Sequence, residues 1–278
     1  MIIISKHSNQ LCNRLFTYLP ILSYALEAKE SVCFWFQYKT YYNYFPNLSQ
    51  KGIASYFADS SVKPSLSSKI VNGIIRLTDK CIHLILKANE PIPLHKPLGV
   101  LFNDKWKNIR YDKAYINKHS DSLRQLFAPA PDIWQSIDNM LSTSAEKVIT
   151  VGVHMRGGDY RTYLGGRYFY EPETYKSVML QMQNLLANKV SVRFLLCTNE
   201  KVAPDAFEGL NVVQQQGNNV LIDLYGLSRC DYIIGPPSTF SQWASFYGKV
   251  PLMILYNAND VVSLSKFKRT LSLDVFEE

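Results

Sequence analysis

The sequence predicts an α/β fold built from parallel, Rossmann-like sheets, and three observations lead to this class. Residues 148–153 form a β-branched apolar run of the kind that makes a fully buried strand. A strand over residues 1–4, a helix over 13–29 and a strand over 32–36 together make a βαβ unit. From residue 172 to residue 255 strands and helices alternate, which is typical of a parallel sheet with helices on both faces.

The rest of the first half is predicted to contain helices separated by irregular segments. Residues 40–59 are rich in aromatic side chains and predict irregular structure. Residues 67–87 predict an amphipathic helix, which either packs against its own domain or lies on an anionic membrane surface. The proline-rich stretch 91–97 predicts an extended connection, and residues 119–127 and 132–141 predict short helices.

In the second half, the elements after the central strand follow a regular order. Apolar periodicity predicts helices over residues 172–186, 220–229 and 239–247. Strands are predicted between and after them, over residues 190–197, 210–213, 232–235 and 250–255.

Composition indicates a globular chain, and a length of 278 residues allows one large α/β domain or two of ordinary size. We place a linker at residues 142–145 and a boundary at 143, which gives domains over residues 1–143 and 144–278. A hydrophobic content of 47%, with 18 Tyr and 14 Phe, argues against long disorder. No segment has the roughly 18 uninterrupted apolar residues of a membrane span. The start MIIISKHSNQ lacks the features of a secretory signal, so we expect a cytoplasmic protein.

Cysteine, histidine and charge content restrict the kind of partner. The five cysteines are widely spaced and contain no CxxC pair, so we expect buried reduced thiols and neither a disulfide framework nor a zinc site. The five histidines are equally scattered, and no metal site or cofactor is predicted. The net charge of +7 favours acidic partners such as nucleotide phosphates or an anionic membrane. No nucleic-acid module is recognisable, so we do not expect a nucleic-acid partner.

The polar turn after the central strand is the first candidate site. It contains His154, Arg156, Gly157, Gly158 and Asp159. Ligands of open parallel sheets bind beyond the carboxyl ends of the strands. Glycines let a backbone amide approach an anion closely and an arginine fork can hold a phosphate at two points, so this chemistry suggests phosphate binding. The alternative is an ordinary glycine turn with a solvated Arg156–Asp159 pair.

The loop after the first strand is a second candidate site. It contains Asn13 and Arg14, whose alternative roles are a helix cap and a surface charge.

A third candidate site follows the predicted strand over residues 232–235. Ser238, Thr239 and Phe240 open a helix there, and free N–H groups at a helix start favour an anion. Ser238 can also serve as the N-cap. Asp223, in the preceding helix, either caps that helix or receives hydrogen bonds from a base or ribose.

These loops carry motifs that resemble those of the GDP-fucose-dependent fucosyltransferases. The segment HMRGGDY at residues 154–160 resembles the HxRRGDY-type motif of α-1,2-fucosyltransferases and the HxR motif of α-1,6- and protein O-fucosyltransferases. LIDL at 221–224 with SRCD at 228–231, then STFS at 238–241, are similar to the second and third motifs of that group. QLCNRL at 10–15 is similar to its amino-terminal GxGNxL-type loop.

The resemblance implies a GT-B-like fold with two Rossmann-like domains and a nucleotide-sugar site in the cleft between them. The domain over residues 1–143 would lie on the acceptor side, and the domain over 144–278 would bind the donor. The implied reaction is an inverting, metal-independent transfer of fucose from GDP-fucose to a glycan hydroxyl.

The resemblance also implies roles for individual residues. Arg156 would bind the β-phosphate of the donor, and His154 and Asp223 would contact the guanosine. Asn13 and Arg14 would face the donor across the cleft. The pyrophosphate pocket would be shaped by Ser238, Thr239 and Phe240. Asp159 would accept the proton of the acceptor hydroxyl, with Glu171 and Glu173 as other candidates.

The sequence departs from the α-1,2 pattern at two places. Gly157 stands where that group has a second arginine, and Asn199-Glu200 replaces a more acidic pair. We expect a bacterial-type enzyme that acts on a surface-polysaccharide or lipopolysaccharide acceptor, with peripheral contact at the inner membrane face as an option. Two alternatives stay open, a GT-B transferase with another nucleotide-sugar donor and a nucleotide-sugar-binding protein without catalysis.

Overall fold

A computed structural model of the chain divides it into two compact units, Met1–Ala130 and Pro131–Glu278. Each unit contains its own parallel sheet, which confirms the predicted α/β class. The structure describes residues 2–4, 10–29, 31–34, 44–50, 100–102, 113–142, 148–186, 191–272 and 275–276.

The first unit is built on a three-stranded parallel sheet. Strand β1 (Ile2–Ile4) lies between β2 (Val32–Phe34) and β3 (Val100–Phe102). Helix α1 (Leu11–Ala28) connects β1 to β2, so the predicted βαβ unit is confirmed. Strand β3 has no counterpart among the predicted elements, because so short an apolar run cannot be assigned by periodicity.

The described residues of the first unit include two further helices. A short helix, α2 (Asn47–Gln50), lies inside the segment that was predicted to be irregular. Helix α3 (Lys113–Leu126) packs against α1, whose Leu19 is fully buried. The side-chain amide of Asn47 donates to the carbonyl of Gln125 at 2.7 Å, which ties α2 to α3.

The second unit is built on a five-stranded sheet in which all the strands are parallel. The first of these strands in sequence, β4, lies in the middle, with β5 and β6 on one side and β7 and β8 on the other. The connections therefore change direction beside β4, and ligands of open α/β sheets bind at such a switch point. The strands are β4 (Val148–Met155), β5 (Ser191–Thr198), β6 (Val212–Val213), β7 (Tyr232–Gly235) and β8 (Leu252–Ile254).

Helices cover this sheet and bury its central strands. Val151 and Val153 of β4 are completely excluded from solvent, as expected for a strand between two layers of helices. The ring of Trp134, in the helix Pro131–Leu141, meets the ring of Tyr225, in the helix Val220–Leu227, edge-to-face with 5.6 Å between the ring centres. This contact packs the two helices against each other. In chain order the helices are α4 (Pro131–Leu141), α5 (Pro172–Leu186), α6 (Val220–Leu227) and α7 (Thr239–Gly248).

The division between the units precedes helix α4, whereas the sequence placed a domain boundary at residue 143. Helix α4 belongs to the second unit because its apolar face packs against α6. The assignment of acceptor and donor roles to the two domains stays a prediction.

Most predicted elements of the second unit occur with small changes at their ends. Helix α5 and strand β7 have the predicted ends. Strand β4 is longer than expected, because it stays paired with β5 as far as Met155 and Thr198. His154 therefore belongs to the strand and not to the turn that follows it. Helix α6 ends at Leu227, before the predicted residue 229.

One pair of strands was not predicted, and two predicted segments lie outside the described residues. An antiparallel pair, β9 (Thr270–Ser272) and β10 (Val275–Phe276), was not predicted. The predicted amphipathic helix at 67–87 and the proline-rich stretch at 91–97 lie outside the described residues. Within the described part of the chain, no helix is both long and apolar enough to span a membrane.

Gly248, the last residue of α7, lies where α7 closely approaches the residue that follows α6. A Cβ at this position would lie 2.1 Å from the backbone carbonyl oxygen of Ser228, which follows α6. We expect Gly248→Ala to lower the free energy of unfolding by about 1–3 kcal/mol, because backbone must move to admit the methyl group. The urea midpoint followed by tryptophan fluorescence measures this loss.

Gly217→Ala is the matched control, since a Cβ there meets nothing within 4 Å. We expect its midpoint to stay close to that of the unsubstituted chain. Equal midpoints for the two variants would contradict the close approach.

Candidate functional site

A cavity of about 320 Å³ opens at the carboxyl ends of β4 and β5. Four residues predicted as site residues line it, namely His154, Arg156, Asp223 and Phe240. The three motifs that contain them are far apart in the sequence and meet here because parallel pairing brings strand ends to one edge. The other lining residues are Cys197, Thr198, Asn199, Asn218 and Val220.

His154 is a buried, neutral imidazole at the end of β4. Its Nδ1 lies 3.0 Å from the hydroxyl of Ser241, and its ring centre lies 4.8 Å from that of Phe240. Burial, with a smaller contribution from the positive charge of Arg156, lowers the pKa of His154 to about 3. The ring therefore offers hydrogen bonding and a flat face to a ligand at neutral pH, without a charge.

Arg156 directly follows β4 and supplies the positive charge of the cavity. Its side chain is 19% exposed, and Nη2 donates to Oδ1 of Asp159 at 2.8 Å. The guanidinium carbon lies 5.4 Å from the centre of the Tyr160 ring. Nε is buried and has no hydrogen-bond partner among the described residues. The guanidinium thus keeps donor capacity for an anionic ligand.

Asp159 lies at the rim of this loop. Its side chain is 51% exposed and forms an ion pair with Arg156, and it does not line the cavity. Glu171 and Glu173, the other carboxylates considered as a base, are exposed before and within the first turn of α5. None of the three carboxylates is buried, and the choice of Asp159 as the base stays a prediction.

Asp223 lies in the first turn of α6 and faces the cavity. The capping role considered for it is wrong, because Asn219 is the N-cap and accepts from the amide of Leu221 at 3.0 Å. Burial raises the pKa of Asp223 to about 6. Its Oδ1 is enclosed and has no hydrogen-bond partner among the described residues, so it is an acceptor that a ligand could satisfy.

The start of α7 forms another side of the cavity through Phe240. Ser238 is the N-cap, as its alternative role predicted, and accepts from the amide of Phe240 at 3.2 Å. Ser238 and Thr239 are partly buried and do not line the cavity. The hydroxyl of Tyr160 donates to the carbonyl of Pro237 at 2.6 Å, which ties this turn to the Arg156 loop.

Asn13 and Arg14 lie within the first turn of α1, in the first unit. The carbonyl of Asn13 accepts from the hydroxyl of Thr17 at 2.7 Å. Asn13 is not the helix cap, because the N-cap is Gln10. Arg14 is 6% exposed, so it is a buried residue and not the surface charge considered as its alternative. Their contact with a donor stays a prediction.

Asn199 lines the cavity and Glu200 lies beside its loop, and the sequence analysis assigned no role to either residue. Oδ1 of Asn199 accepts from the amide of Gly157 at 3.0 Å, and Oε1 of Glu200 accepts from the amide of Gly158 at 2.9 Å. The two glycine amides that were expected to approach an anion therefore bond to side chains of the protein. The available signal was the polar segment Thr198-Asn199-Glu200 directly after a predicted strand.

The described residues contain no group of three or more His, Cys, Asp and Glu side chains that could hold a metal ion. Cys12, Cys197 and Cys230 are buried.

Comparison with solved structures finds the same fold in several fucosyltransferases. Fucosyltransferase NodZ from Bradyrhizobium matches with a TM-score of 0.58 and 16% identity, over 91% of this chain and 94% of that chain. FUT1 from Arabidopsis thaliana, solved with GDP, matches with a TM-score of 0.56 and 14% identity, over 99% of this chain and 74% of that chain. POFUT1 in complex with GDP matches with a TM-score of 0.52 and 10% identity, over 90% and 94%.

The likeness is one of fold and not of overall sequence. No protein-family model matches the chain. No curated protein matches it by sequence either.

The lowered pKa of His154 predicts a pH dependence of stability. Below pH 6.5 the unfolded chain protonates this side chain, whereas the native chain stays neutral down to about pH 3. The free energy of unfolding therefore falls as the pH falls through this window, by up to about 1.4 kcal/mol per pH unit from this group. We expect His154→Asn, which keeps a polar nitrogen near Ser241 and cannot titrate, to show a shallower dependence.

Urea unfolding of both proteins between pH 4 and pH 7 measures the difference. Asp223 acts in the opposite direction but is present in both proteins, so the comparison isolates His154. Parallel stability curves would show that His154 is not held neutral.

Proposed function

We propose that this chain is a glycosyltransferase that transfers fucose from GDP-fucose to a hydroxyl of a glycan acceptor. The observation that carries the proposal is the meeting of His154, Arg156 and Asp223 in one cavity at the switch point of the sheet. Each comes from a motif that resembles those of fucosyltransferases, and the solved structures with this fold include fucosyltransferases crystallised with GDP or soaked with GDP-fucose.

In the proposed complex the diphosphate lies against Arg156. A planar guanidinium can hold two phosphate oxygens, and its charge offsets the charge that develops on GDP as the sugar leaves. Backbone N–H groups at the start of α7, shaped by Ser238, Thr239 and Phe240, add an electrostatic preference for an anion. A contact of Asn13 and Arg14 with the donor rests only on the resemblance of their loop to the fucosyltransferase motif.

The guanosine lies on the other side of the cavity. Above pH 6 the carboxylate of Asp223 is ionised and can accept hydrogen bonds from the N–H donors of guanine. His154 and Phe240 both line the cavity and pack against each other, with 4.8 Å between their ring centres. A buried acceptor without a partner favours a ligand that supplies the missing donor.

The proposed reaction is a metal-independent displacement with inversion. The acceptor oxygen forms a bond to the anomeric carbon as the bond from that carbon to the β-phosphate oxygen breaks. The electron pair leaves with GDP, and the proton of the acceptor hydroxyl moves to a carboxylate, for which we assign Asp159.

For the biological setting, we propose a cytoplasmic enzyme of bacterial surface-polysaccharide or lipopolysaccharide synthesis. The net charge of +7 favours an anionic donor and tolerates contact with the inner face of a membrane.

The first test is calorimetric binding of GDP, GDP-fucose, GDP-mannose and UDP-sugars with chelator present. We expect GDP and GDP-fucose to bind, and we expect Arg156→Ala to abolish fucosyl transfer and weaken GDP while leaving the fold intact. Both transfer and GDP binding suffer because the cavity then lacks its positive charge. Arg229→Ala is the matched control, since Arg229 is 52% exposed and does not line the cavity.

The outcomes separate the alternatives. If another sugar nucleotide binds more tightly than GDP-fucose, that sugar nucleotide would replace GDP-fucose as the proposed donor. Binding of GDP-fucose without transfer to any glycan would favour a binding protein, and the absence of any guanine-nucleotide binding would overturn the proposal.

The raised pKa of Asp223 predicts that donor binding depends on pH. We expect the affinity for GDP-fucose to fall as the pH is lowered through about 6, because the protonated carboxyl loses its acceptor charge. Asp223→Asn should bind about 10 to 100 times more weakly at pH 7.5, the effect of losing hydrogen bonds to a charged group, and should show little pH dependence. GDP-fucose is the probe because GDP itself ends in a phosphate monoester that titrates near pH 6.

Titration calorimetry from pH 5 to pH 7.5 makes the measurement. Asp205→Asn, at an exposed position outside the cavity, is the control. A wild-type affinity that is constant over this range would argue against Asp223 as a ligand of the base.

A further inference from the structure

The loop that carries Arg156 is held against the end of β5 by one carboxylate. Oε1 of Glu200 accepts from the amide of Gly158 at 2.9 Å and from Nε of Arg161 at 3.1 Å. Oε2 accepts from Nη2 of Arg161 at 2.9 Å. Asn199 adds a bond of 3.0 Å from the amide of Gly157. The two glycines between Arg156 and Asp159 are thus bonded to the residues that directly follow β5.

The same carboxylate explains the glycine that follows Arg156. A Cβ on Gly157 would lie 2.1 Å from Cδ and 2.4 Å from Cγ of Glu200, so the side chain of Glu200 occupies the place of a side chain at residue 157. Gly158 has φ +57°, in the left-handed region that favours glycine. The position of the Glu200 side chain and the two glycines therefore depend on each other.

Charge keeps Glu200 in this arrangement at neutral pH. Hydrogen bonding from Arg161, followed by that from the amide of Gly158, lowers the pKa of Glu200. The guanidinium of Arg161 also lies over the ring of Phe169, with 4.2 Å between its carbon and the ring centre. The glutamate is therefore ionised and directed at the loop.

These contacts are expected to contribute little to the free energy of unfolding. The side chains of Arg161 and Glu200 are 53% and 26% exposed, and ion pairs that water can reach contribute little to stability. What the contacts do fix is the path of the chain between Arg156 and Asp159. The direction of the Arg156 guanidinium depends on that path, since its backbone leaves β4 and enters the held loop.

We propose that Glu200 is a positioning residue, which holds the Gly157–Gly158 turn so that Arg156 meets the diphosphate of the donor. The proposal rests on the proposed function and adds a residue to which no role is assigned there. Glu200 touches neither donor nor acceptor and acts only through Arg156. Its loss should therefore weaken contact with phosphate and leave contact with the nucleoside unchanged.

The first test compares GDP with guanosine by NMR titration of the full chain. We expect Glu200→Gln to bind GDP about tenfold more weakly, the loss of a charge-assisted hydrogen bond, and to bind guanosine as before. The thermal midpoint should match that of Glu208→Gln, an exposed control that the proposal does not involve. Unchanged GDP affinity, or an equal loss for GDP and guanosine, would overturn the positioning role.

The second test uses the collision at Gly157. Gly157→Ala alone should weaken GDP binding, because its Cβ displaces Glu200. Adding Glu200→Ala removes the obstacle, so the double variant should bind GDP no more weakly than Gly157→Ala alone. Gly217→Ala, where a Cβ meets nothing within 4 Å, controls for the methyl group. Losses that multiply in the double variant would contradict a shared arrangement.

Hydrogen exchange separates this proposal from the proposed function. In Glu200→Ala the amide of Gly158 should exchange faster, with no ligand present, because its acceptor is gone. Unchanged exchange would show that Glu200 does not hold the loop, whatever the protein binds. If the unsubstituted chain binds no guanine nucleotide, the proposed function fails, and so does the reason for positioning Arg156. Faster exchange in Glu200→Ala would still establish that Glu200 holds the loop.

Discussion

Parallel pairing of β4 with β5 and β7 is the constraint on which the rest of the second unit depends. β4 is paired with β5 along its full length, from Val148 to Met155, and with β7 on the opposite side. The pairing sets the carboxyl ends of three strands at one edge of the sheet. Each loop at that edge then contributes side chains to one cavity, and β4 itself can be buried because helices cover both faces.

Electrostatics divide the cavity into two kinds of surface. Arg156 is charged and partly exposed, and its negative partner Asp159 lies outside the cavity at the rim. Burial keeps His154 uncharged and raises the pKa of Asp223 to about 6. A ligand with a diphosphate at one end and a base at the other fits this division, because each end meets groups suited to its charge.

The loops at this edge are also tied to one another. Tyr160 binds the turn before α7, and Asn199 and Glu200 bind the glycine turn after Arg156. Loops fixed by neighbouring strands can present an arginine in one direction without the loop itself being buried. A site of this kind depends on side chains that touch no ligand as well as on those that do.

Sequence patterns were enough to predict the α/β class, the βαβ unit, most elements of the second half, and the motif residues His154, Arg156, Asp223 and Phe240. Apolar periodicity and the chemistry of strand ends are local properties, so they can be recognised in one segment at a time. The three-dimensional structure was needed for the sheet order, the pairing of β1 with β3 and the packing of α4 with the second unit. It also decided that Asn219 caps α6 and that Glu200 fills the space beside Gly157, because these contacts depend on geometry between distant segments that no local pattern records.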